Sequence, residues 1–587
     1  MSLNLRHFLS VLKEAKEIVE VDKEVDPHLE IAEIHRRVAA VEGPALFFKR
    51  VKGSDFPVVT NLFGSNKRIH LAFQNRPHEL IASLVDLATR EFPPKLSTLW
   101  KKRHALKTLL HLGTKKSKLA LVKENQITPP DLEKLPLLKI WPLDGGSFIT
   151  LPLVYTEPLH GGAPNLGMYR IQRYDKQRAG LHFQIQKGGG FHYHLAEAQN
   201  QTLPVNIFIG GPPALMFSAI TPLPENVPEL LICALLQGKK VGTTRTPHNG
   251  YPLISECEFA LVGEAKPHIR EGEGPFGDHY GYYSLKHDFP VFECRALYHR
   301  KDAIYPATVV GKPKQEDFYI GDFLQELLSP LFPVVMPGVK DLWSYGETGF
   351  HSLSAAVVRE RYYRECMAQA FRILGEGQLS LTKFLLLIDE PIDLRQFKQV
   401  LTHLLERFRP ETDLFIFSNL SLDTLDYTGP ALNKGSRGVM LGIGEPVRTL
   451  PSEYIGGLPN PLTKIAVYSP GCLVLEGPFD KPPDDILNHP GFANWPLLIL
   501  VDDLDKTLKS DTTFLWTVFT RFEPAADIYS ASSHIHRHHI AYSGPLLIDA
   551  RMKPSYPPEV SSDPETAKKV KQNWSRYFPD GMDMGDN

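Results

Sequence analysis

The 587-residue sequence lacks four features that would each indicate a class of protein. Its five cysteines include no closely spaced pair, which argues against a disulfide framework and against a zinc module. No stretch approaches about 18 uninterrupted apolar residues, and the first residues show no secretory pattern, so we expect a cytoplasmic protein that does not span a membrane. Lys and Arg total 65 against 67 Asp and Glu, and this balance makes nucleic acid an unexpected partner.

Local patterns predict a mixed fold that contains both helices and strands. Residues 1–125 alternate helical and strand patterns, which indicates an N-terminal α/β region. Between 126 and 335, short apolar runs are broken by Gly and Pro, and this density of turns favours a barrel-like sheet. We expect a linker at 336–352 and a C-terminal α/β domain at 353–587.

An internal repeat lies in the C-terminal region. Residues 384–393 and 497–505 are each an apolar run that ends in acidic residues, and a helical pattern follows each run. The two stretches then reach similar sequences at 406–413 and 520–527. This order is typical of αβ units in a parallel or mixed sheet. The repeat, at 381–448 and 496–554, therefore predicts a duplicated αβ unit.

Three residues form a candidate metal site. Asn165, His192 and Glu229 offer an amide oxygen, an imidazole nitrogen and a carboxylate, a set that suits Mn²⁺ or Mg²⁺ better than zinc. A turn beside Gly167 and an ordinary acidic helix face are the alternatives for the Asn and the Glu. The loop that begins at Lys187 continues with three glycines, whose unobstructed N–H groups could hold a phosphate, or it could be a flexible turn.

Two acids, Glu273 and Asp278, flank a rigid Gly-Pro-Phe-Gly bend. Crowding or burial of the two carboxylates would raise one pKa above the roughly 3.9 to 4.3 of free acids, and that group could then donate a proton near neutral pH. Arg170 could pair with one acid and present a cation to an anionic substrate. The alternative is an ordinary turn with solvated acids.

A histidine-rich stretch lies near the C-terminus, and no acidic residue is close to it in the sequence. We expect it at a surface or interface, with metal binding as the alternative interpretation. Its members are His534, His536, His538 and His539.

Several ordered motifs resemble the UbiD family of prenylated-FMN-dependent decarboxylases. The main motifs are Asn165–Arg170, the loop at Lys187, Pro222–Glu229 and Glu273–Gly281. Further similarity extends over nearly the whole chain, at Glu20–Pro27, Asn61–Ser65, Ala303–Pro313 and Leu381–Lys383.

The resemblance implies a split-barrel flavin-binding domain at 126–335, followed by a C-terminal domain used in oligomerisation. It implies prenylated FMN and Mn²⁺ as cofactors, with K⁺ as an additional candidate ion. Asn165, Glu229 and His192 would hold Mn²⁺ against the cofactor phosphate, with His194 as the alternative to His192. The residues that would contact the flavin or its phosphate are Met168, Tyr169, Arg170, His182, Phe183, Gln184, Lys187 and Gly188.

The resemblance also implies the catalytic residues. Arg170, Glu273 and Asp278 would form a triad in which Asp278 is the acid/base, at a position where some relatives have Glu. Two stretches of the C-terminal region, Lys434–Ile443 and Leu547–Pro554, are similar to a late family motif, and which of them approaches the flavin stays open.

The implied function is the non-oxidative decarboxylation of a hydroxylated aromatic acid in quinone biosynthesis. The first substrate is a 3-polyprenyl-4-hydroxybenzoate, and a dihydroxynaphthoate of menaquinone biosynthesis is the alternative. A non-catalytic scaffold that retains the fold is the alternative from another class. Expected partners are a flavin prenyltransferase as the cofactor supplier and further copies of the chain, together with peripheral membrane contact if the substrate is polyprenylated.

Overall fold

A computed structural model describes residues 4–89, 110–184, 187–221, 227–478 and 484–586. The chain divides into two compact units. Unit 1 comprises Met1–Leu327 and Pro558–Asn587, and unit 2 comprises Leu328–Pro557. The start of the predicted motif Pro222–Glu229, residues 222–226, lies outside the described residues.

Unit 1 contains a large antiparallel sheet of nine strands. Eight strands follow one another in space as Phe148–Ile149, Ile171–Arg173, Arg178–Leu181, His287–His299, Phe259–Glu273, Leu203–Ile209, Pro152–Thr156 and Asn165–Gly167, and Asn125–Ile127 pairs with His287–His299. The two longest strands pair with a shift of register after Ala265, so that Glu273 lies opposite His287. This pairing places Glu273 at the end of its strand, immediately before the bend that leads to Asp278.

Smaller sheets complete the strands of unit 1. A four-stranded sheet contains Ile18–Val21, Ala45–Phe48, Val58–Thr60 and Tyr305–Pro306, and a three-stranded sheet contains Pro252–Ile254, Val241–Arg245 and Thr114–Lys116. A short hairpin pairs Phe276–Gly277 with Tyr283–Ser284. The hairpin turn carries Asp278.

Helices pack around these sheets. The α-helices that begin in unit 1 are Leu5–Glu14, Glu30–Ala39, Asn66–Phe73, Arg76–Thr89, Gly188–Ala198, Pro213–Ser218, Glu229–Gln237, Glu316–Leu328, Pro564–Gln572 and Trp574–Tyr577. Short 3₁₀ turns occur at Leu121–Lys123 and Leu132–Lys134. Side-chain caps explain where several helices begin. For example, the Asn4 side chain precedes the helix Leu5–Glu14 and accepts a hydrogen bond from the backbone N–H of His7.

Unit 2 contains two five-stranded sheets with the same topology. The first has the spatial order Val339–Ser344, Leu353–Val358, Phe384–Ile388, Gly435–Gly442 and Leu414–Leu420. The second has the order Lys464–Ser469, Cys472–Glu476, Leu497–Val501, His539–Asp549 and Ile528–His536. In each sheet the central three strands run parallel and both outer strands run antiparallel to their neighbours.

The two copies of the repeat also share equivalent hydrogen bonds. The Asp413 carboxylate accepts a hydrogen bond from the N–H of Arg409 at 2.9 Å, and Asp527 accepts one from Glu523 at 2.7 Å. Asp389 and Asp502 directly follow the middle strands of the two sheets, and their carboxylates make equivalent hydrogen bonds. Each accepts a backbone N–H from the loop after the adjacent parallel strand, from Gly444 and Met552 respectively. The predicted duplication of an αβ unit is confirmed.

The remaining helices of unit 2 cover both faces of its sheets. The α-helices are Phe332–Val335, Glu365–Gly375, Phe397–Arg407, Asp484–Leu487, Leu504–Thr507, Asp511–Arg521 and Pro524–Asp527, and 3₁₀ turns occur at Ser329–Leu331, Gly346–Thr348, Gly377–Leu381 and Pro490–Phe492. One apolar core joins both sheets through aromatic residues of two helices, including Phe397, Phe514 and Phe519.

Two features differ from the boundaries predicted from sequence. Residues 336–352, predicted as a linker, include the strand Val339–Ser344, whose Val339 and Leu342 are buried. The last segment of the chain, 558–587, belongs to unit 1 instead of the C-terminal unit. The other predicted limits, at 125 and 335, stay predictions.

Candidate functional site

Arg170 lies between the two acids predicted to be catalytic. Its Nε donates to Glu273 Oε1 at 2.7 Å and its Nη2 donates to Glu273 Oε2 at 3.0 Å, while Nη1 donates to Asp278 Oδ2. Glu273 is fully buried, and Arg170 and Asp278 are each 8% exposed. The structure therefore brings the three predicted catalytic residues into one buried cluster.

The pKa of each acid is lowered, whereas the sequence pattern predicted that one would be raised. Burial raises the pKa of Glu273, but the charge of Arg170 and the hydrogen bond with His182 outweigh burial and bring the pKa to about 2. Burial likewise raises the pKa of Asp278, but the hydrogen bond with His279 and the charge of Arg170 hold it well below its usual range. That prediction was wrong because a cation lies between the acids and offsets their mutual repulsion.

A histidine also contacts the Glu273 carboxylate, at the oxygen that accepts from Arg170 Nη2. His182 Nδ1 lies 3.1 Å from Glu273 Oε2, and the Gln184 amide lies 3.3 Å from His182 Nε2. Burial and the nearby Arg170 lower the pKa of His182, which favours the neutral ring. If the Gln184 amide donates to Nε2, the ring proton is on Nδ1 and is donated to Glu273.

The candidate metal ligands converge on the strand Asn165–Gly167. Asn165 pairs with Thr156 across the sheet, and Thr156 Oγ1 lies 2.9 Å from His192 Nδ1. Glu229, the first residue of its helix, accepts the N–H of Leu166 at 2.8 Å. Asn165 belongs to this strand, Glu229 contacts it directly, and His192 contacts the paired strand Pro152–Thr156.

The donor set fits a hard divalent ion. Burial lowers the pKa of His192, which favours the neutral imidazole, the form that binds metals. The contact of Nδ1 with Thr156 leaves Nε2 available to a metal ion. His194 is exposed on the same helix, two positions further on, which favours His192 over His194 as the ligand. Within the described residues, no group of three or more His, Cys, Asp or Glu side chains is arranged for a metal; the set here contains two such residues and Asn165.

The start of the helix Gly188–Ala198 packs directly on this strand. A Cβ atom on Gly188 would lie 2.2 Å from Asn165 Oδ1, and one on Gly189 would lie 2.8 Å from the Phe183 ring. The N–H of Gly189 donates to the Tyr169 hydroxyl at 3.2 Å. The first N–H groups of a helix attract anions, so this helix start beside Asn165 fits a phosphate bound next to a metal ion.

The other residues predicted to contact a flavin differ in burial and in their contacts. Tyr169 is buried, and its hydroxyl contacts Asn165 and Gly189. Phe183 packs edge-on against Tyr169, with 5.4 Å between ring centroids, and Met168 is partly exposed. Lys187 is the residue immediately before the helix.

The histidine-rich stretch forms the end of the hairpin between Ile528–His536 and His539–Asp549. His534, His536 and His538 are exposed. This placement agrees with the expected surface position. Separately, every helix in the described part of the chain is too short or too polar to cross a bilayer.

Four residues of the site were not singled out from the sequence. Ser284 Oγ accepts from Arg170 Nη2 at 2.8 Å, and Thr156 contacts His192. Gln172 Oε1 accepts the N–H of Gly274 at 2.7 Å, and Asp144 Oδ1 accepts the N–H of Gly277 at 2.8 Å. The partners in each contact are far apart along the chain, so no local motif indicates it.

Comparison with known proteins identifies the family. Models described as the N-terminal, Rift-related and C-terminal domains of 3-octaprenyl-4-hydroxybenzoate carboxy-lyase match residues 9–88, 114–313 and 318–442. A protein of Chlamydia pneumoniae, named as a subunit of 4-hydroxybenzoate decarboxylase, is 54% identical over 576 residues, which cover 98% of each chain. The chain belongs to the UbiD family.

Solved structures agree with this assignment to the UbiD family. Vanillic acid decarboxylase of Sedimentibacter hydroxybenzoicus, in its closed form, is 26% identical with a TM-score of 0.67, over 78% of this chain and 96% of that one. The UbiD-class enzyme HmfF of Pelotomaculum thermopropionicum, in complex with FMN, shares the fold at 22% identity and a TM-score of 0.62. The match covers 78% of this chain and 98% of HmfF. The predicted family, mixed fold and carboxy-lyase class are confirmed.

Proposed function

We propose that this protein removes CO₂ from a hydroxylated aromatic acid, with prenylated FMN and Mn²⁺ as cofactors. The observation that carries the proposal is the buried contact of Arg170 with both Glu273 and Asp278. The Chlamydia pneumoniae relative, whose name assigns it to a 4-hydroxybenzoate decarboxylase, supports a hydroxybenzoate-type substrate. Structures of HmfF with FMN and with prenylated FMN support the flavin.

Loss of CO₂ from an aryl carbon leaves a carbanion that side chains alone cannot stabilise, and enzymes typically lower such barriers by about 8–23 kcal/mol. When bound, the prenylated flavin supplies the electron sink for this chemistry. The residues of the chain then have three tasks: they bind the acid, orient it and return a proton to the ring carbon.

Asp278 is the proposed proton donor, and its charge state depends on what lies beside it. In the arrangement that the structure shows, one cation, Arg170, faces two carboxylates, so the cluster carries a net charge of about −1 when both acids are ionised. A substrate carboxylate adds negative charge near Asp278 and raises its pKa. Substrate binding therefore promotes uptake of the proton that Asp278 later delivers, while Glu273, held by Arg170 and His182, stays ionised.

The metal and phosphate residues have a separate task. Asn165, His192 and Glu229 would hold Mn²⁺, and Lys187 with the N–H groups that begin at Gly188 would bind the cofactor phosphate. Burial raises the pKa of Glu229, and a bound cation would keep this carboxyl ionised. The other proposed contacts of the flavin are Met168, Tyr169, Arg170, His182, Phe183 and Gln184.

The first proposed substrate is a 3-polyprenyl-4-hydroxybenzoate of quinone biosynthesis, and a dihydroxynaphthoate of menaquinone biosynthesis is the second. The proposal includes K⁺ as an additional ion, a flavin prenyltransferase as cofactor supplier, self-association and a cytoplasmic location. A polyprenylated substrate would add contact with a membrane surface.

Reconstitution tests the proposal. The chain is purified after co-expression with a flavin prenyltransferase, its absorption spectrum is recorded, and CO₂ release is measured from 4-hydroxybenzoate, a polyprenylated 4-hydroxybenzoate and a dihydroxynaphthoate. We expect bound flavin and release from a hydroxybenzoate. Release from the naphthoate alone would favour menaquinone chemistry. If the purified protein contains no flavin, or releases CO₂ from none of the acids, the result would favour a non-catalytic scaffold that retains the fold.

A further inference from the structure

The turn that carries Asp278 belongs to a hairpin too short to be rigid by itself. Phe276 pairs with Ser284 and Gly277 pairs with Tyr283. Within the turn, the N–H of Asp278 donates to the carbonyl of Tyr282 at 3.1 Å. Isolated two-stranded hairpins are marginally stable at best, so the position of Asp278 depends on what holds the hairpin.

The first arm of the hairpin, Phe276–Gly277, is held by residues that precede it in the sequence. The Asp144 carboxylate accepts the N–H of Gly277, and Gln172 accepts the N–H of Gly274. Trp141 lies directly beneath, because a Cβ atom on Gly277 would fall 2.1 Å from the indole ring. These contacts fix the chain up to the residue before Asp278.

The second arm is held by the C-terminal segment of the chain. The N–H of Val560 donates to the carbonyl of Gly281 at 3.0 Å, and the N–H of Tyr283 donates to the carbonyl of Pro558 at 3.1 Å. Between these bonds, Tyr282 forms an antiparallel bridge with Glu559. The segment therefore lies beside the returning arm and is joined to it by these two backbone hydrogen bonds.

The same segment is anchored at a distance from the hairpin. Lys569 and the Tyr577 hydroxyl both contact the Glu30 carboxylate, at 2.8 and 2.5 Å, and Ser562 donates to Glu33 at 2.8 Å. Val560 and three later side chains are buried in the core of unit 1: Val570, Tyr577 and Phe578. The anchored segment connects the helix Glu30–Ala39 to the turn of Asp278.

We propose that residues 558–578, the C-terminal strap, position Asp278 for proton transfer. The inference rests on the proposed function, since it gives the strap a role in the step assigned to Asp278. The family models match residues 9–88, 114–313 and 318–442, so the strap lies beyond every matched range. Small displacements of a reacting group, of about 1 Å, reduce rates by about 100-fold.

Two substitutions at one position separate positioning from stability. Val560→Pro removes the N–H that Gly281 accepts, whereas Val560→Ala keeps this N–H and removes buried side-chain atoms. We expect Val560→Pro to lower kcat of the flavin-loaded enzyme by about 10- to 100-fold, with a larger solvent isotope effect and little change in KM. We expect Val560→Ala to lower the melting temperature and to keep kcat within about twofold of wild type.

Amide hydrogen exchange supplies a readout that needs no activity. In the flavin-free proteins, residues 276–284 should exchange faster in Val560→Pro than in Val560→Ala. If Val560→Pro does not fold, Tyr577→Phe, which removes one anchor at Glu30, should show the same faster exchange. Unchanged exchange, or a kcat that follows melting temperature across both Val560 variants, would overturn the proposal. A wild type that releases no CO₂ overturns the proposed function instead, and exchange still reports whether the strap orders the hairpin.

Discussion

The Arg170 guanidinium meets the Glu273 carboxylate side on, through Nε to Oε1 at 2.7 Å and Nη2 to Oε2 at 3.0 Å. Two parallel hydrogen bonds fix the plane of the guanidinium, and only arginine provides this geometry. The remaining terminal nitrogen, Nη1, is thereby directed at Asp278. Glu273 therefore determines where the positive charge lies relative to the proposed proton donor.

Arg170→Lys tests this geometry at constant charge. Lysine has a single ammonium group and cannot contact Glu273 and Asp278 in the same arrangement. We expect kcat per bound flavin to fall by about 100-fold or more. The matched control is Arg295→Lys, because Arg295 is half-exposed and pairs with Glu264 and Glu293 at the surface. Equal activity of the two variants would contradict the proposed role of the guanidinium.

Glu273 should contribute stability that depends on pH. Its folded pKa, about 2, is below the roughly 4.3 of an unfolded glutamate, so the contribution is complete above about pH 4.3 and is lost as the pH falls towards 2. The size of the shift corresponds to about 3 kcal/mol. Denaturant unfolding of wild type and Glu273→Gln from pH 2 to 7 measures this difference. A difference that stays constant over the range would show that the folded pKa is not lowered.

The metal ligands can be tested with two histidines of one helix. His192→Ala removes a proposed ligand, whereas His194→Ala changes an exposed residue nearby. We expect Mn²⁺ affinity of the flavin-free protein to fall by about tenfold or more in the first variant only. Titration followed by electron paramagnetic resonance measures the affinity. Similar loss in both variants, or in neither, would reject His192 as a ligand.

Gly188 tests the phosphate site. A Cβ atom at this position would lie 2.2 Å from Asn165 Oδ1, so Gly188→Ala must displace either the start of the helix or a proposed ligand. We expect flavin content after co-expression to fall to less than about one tenth of wild type. Gly457→Ala is the control, because no atom lies within 4 Å of the added methyl group. Full flavin content in Gly188→Ala would mean that the phosphate binds elsewhere.

The sequence predicted the parts of the fold and site that local patterns determine. The duplicated αβ unit was visible because an apolar strand ending in acids recurs, at Asp389 and Asp502. The bend between Glu273 and Asp278 indicated the pair of acids, but their grouping with Arg170 as a catalytic triad came from resemblance to a family, since Arg170 lies 108 positions before Asp278.

Other features depend on contacts that only the folded chain reveals. Asp144 and Gln172 reach the hairpin from distant strands and loops, and Val560 reaches it from near the end of the chain. Nothing in their local sequence distinguishes them from ordinary polar or apolar residues. The direction of the acid pKa shifts was missed for a related reason: it depends on the placement of Arg170 between the carboxylates.

The most direct test of the account is CO₂ release by flavin-loaded Asp278→Asn, compared with wild type at equal flavin occupancy. Asparagine has nearly the same shape as aspartate but does not deliver a proton as a carboxylic acid does. We expect the variant to keep its flavin and its turnover to fall by about 100-fold or more. Wild-type turnover in Asp278→Asn would contradict the account, because protonation of the product would then proceed without the proposed donor.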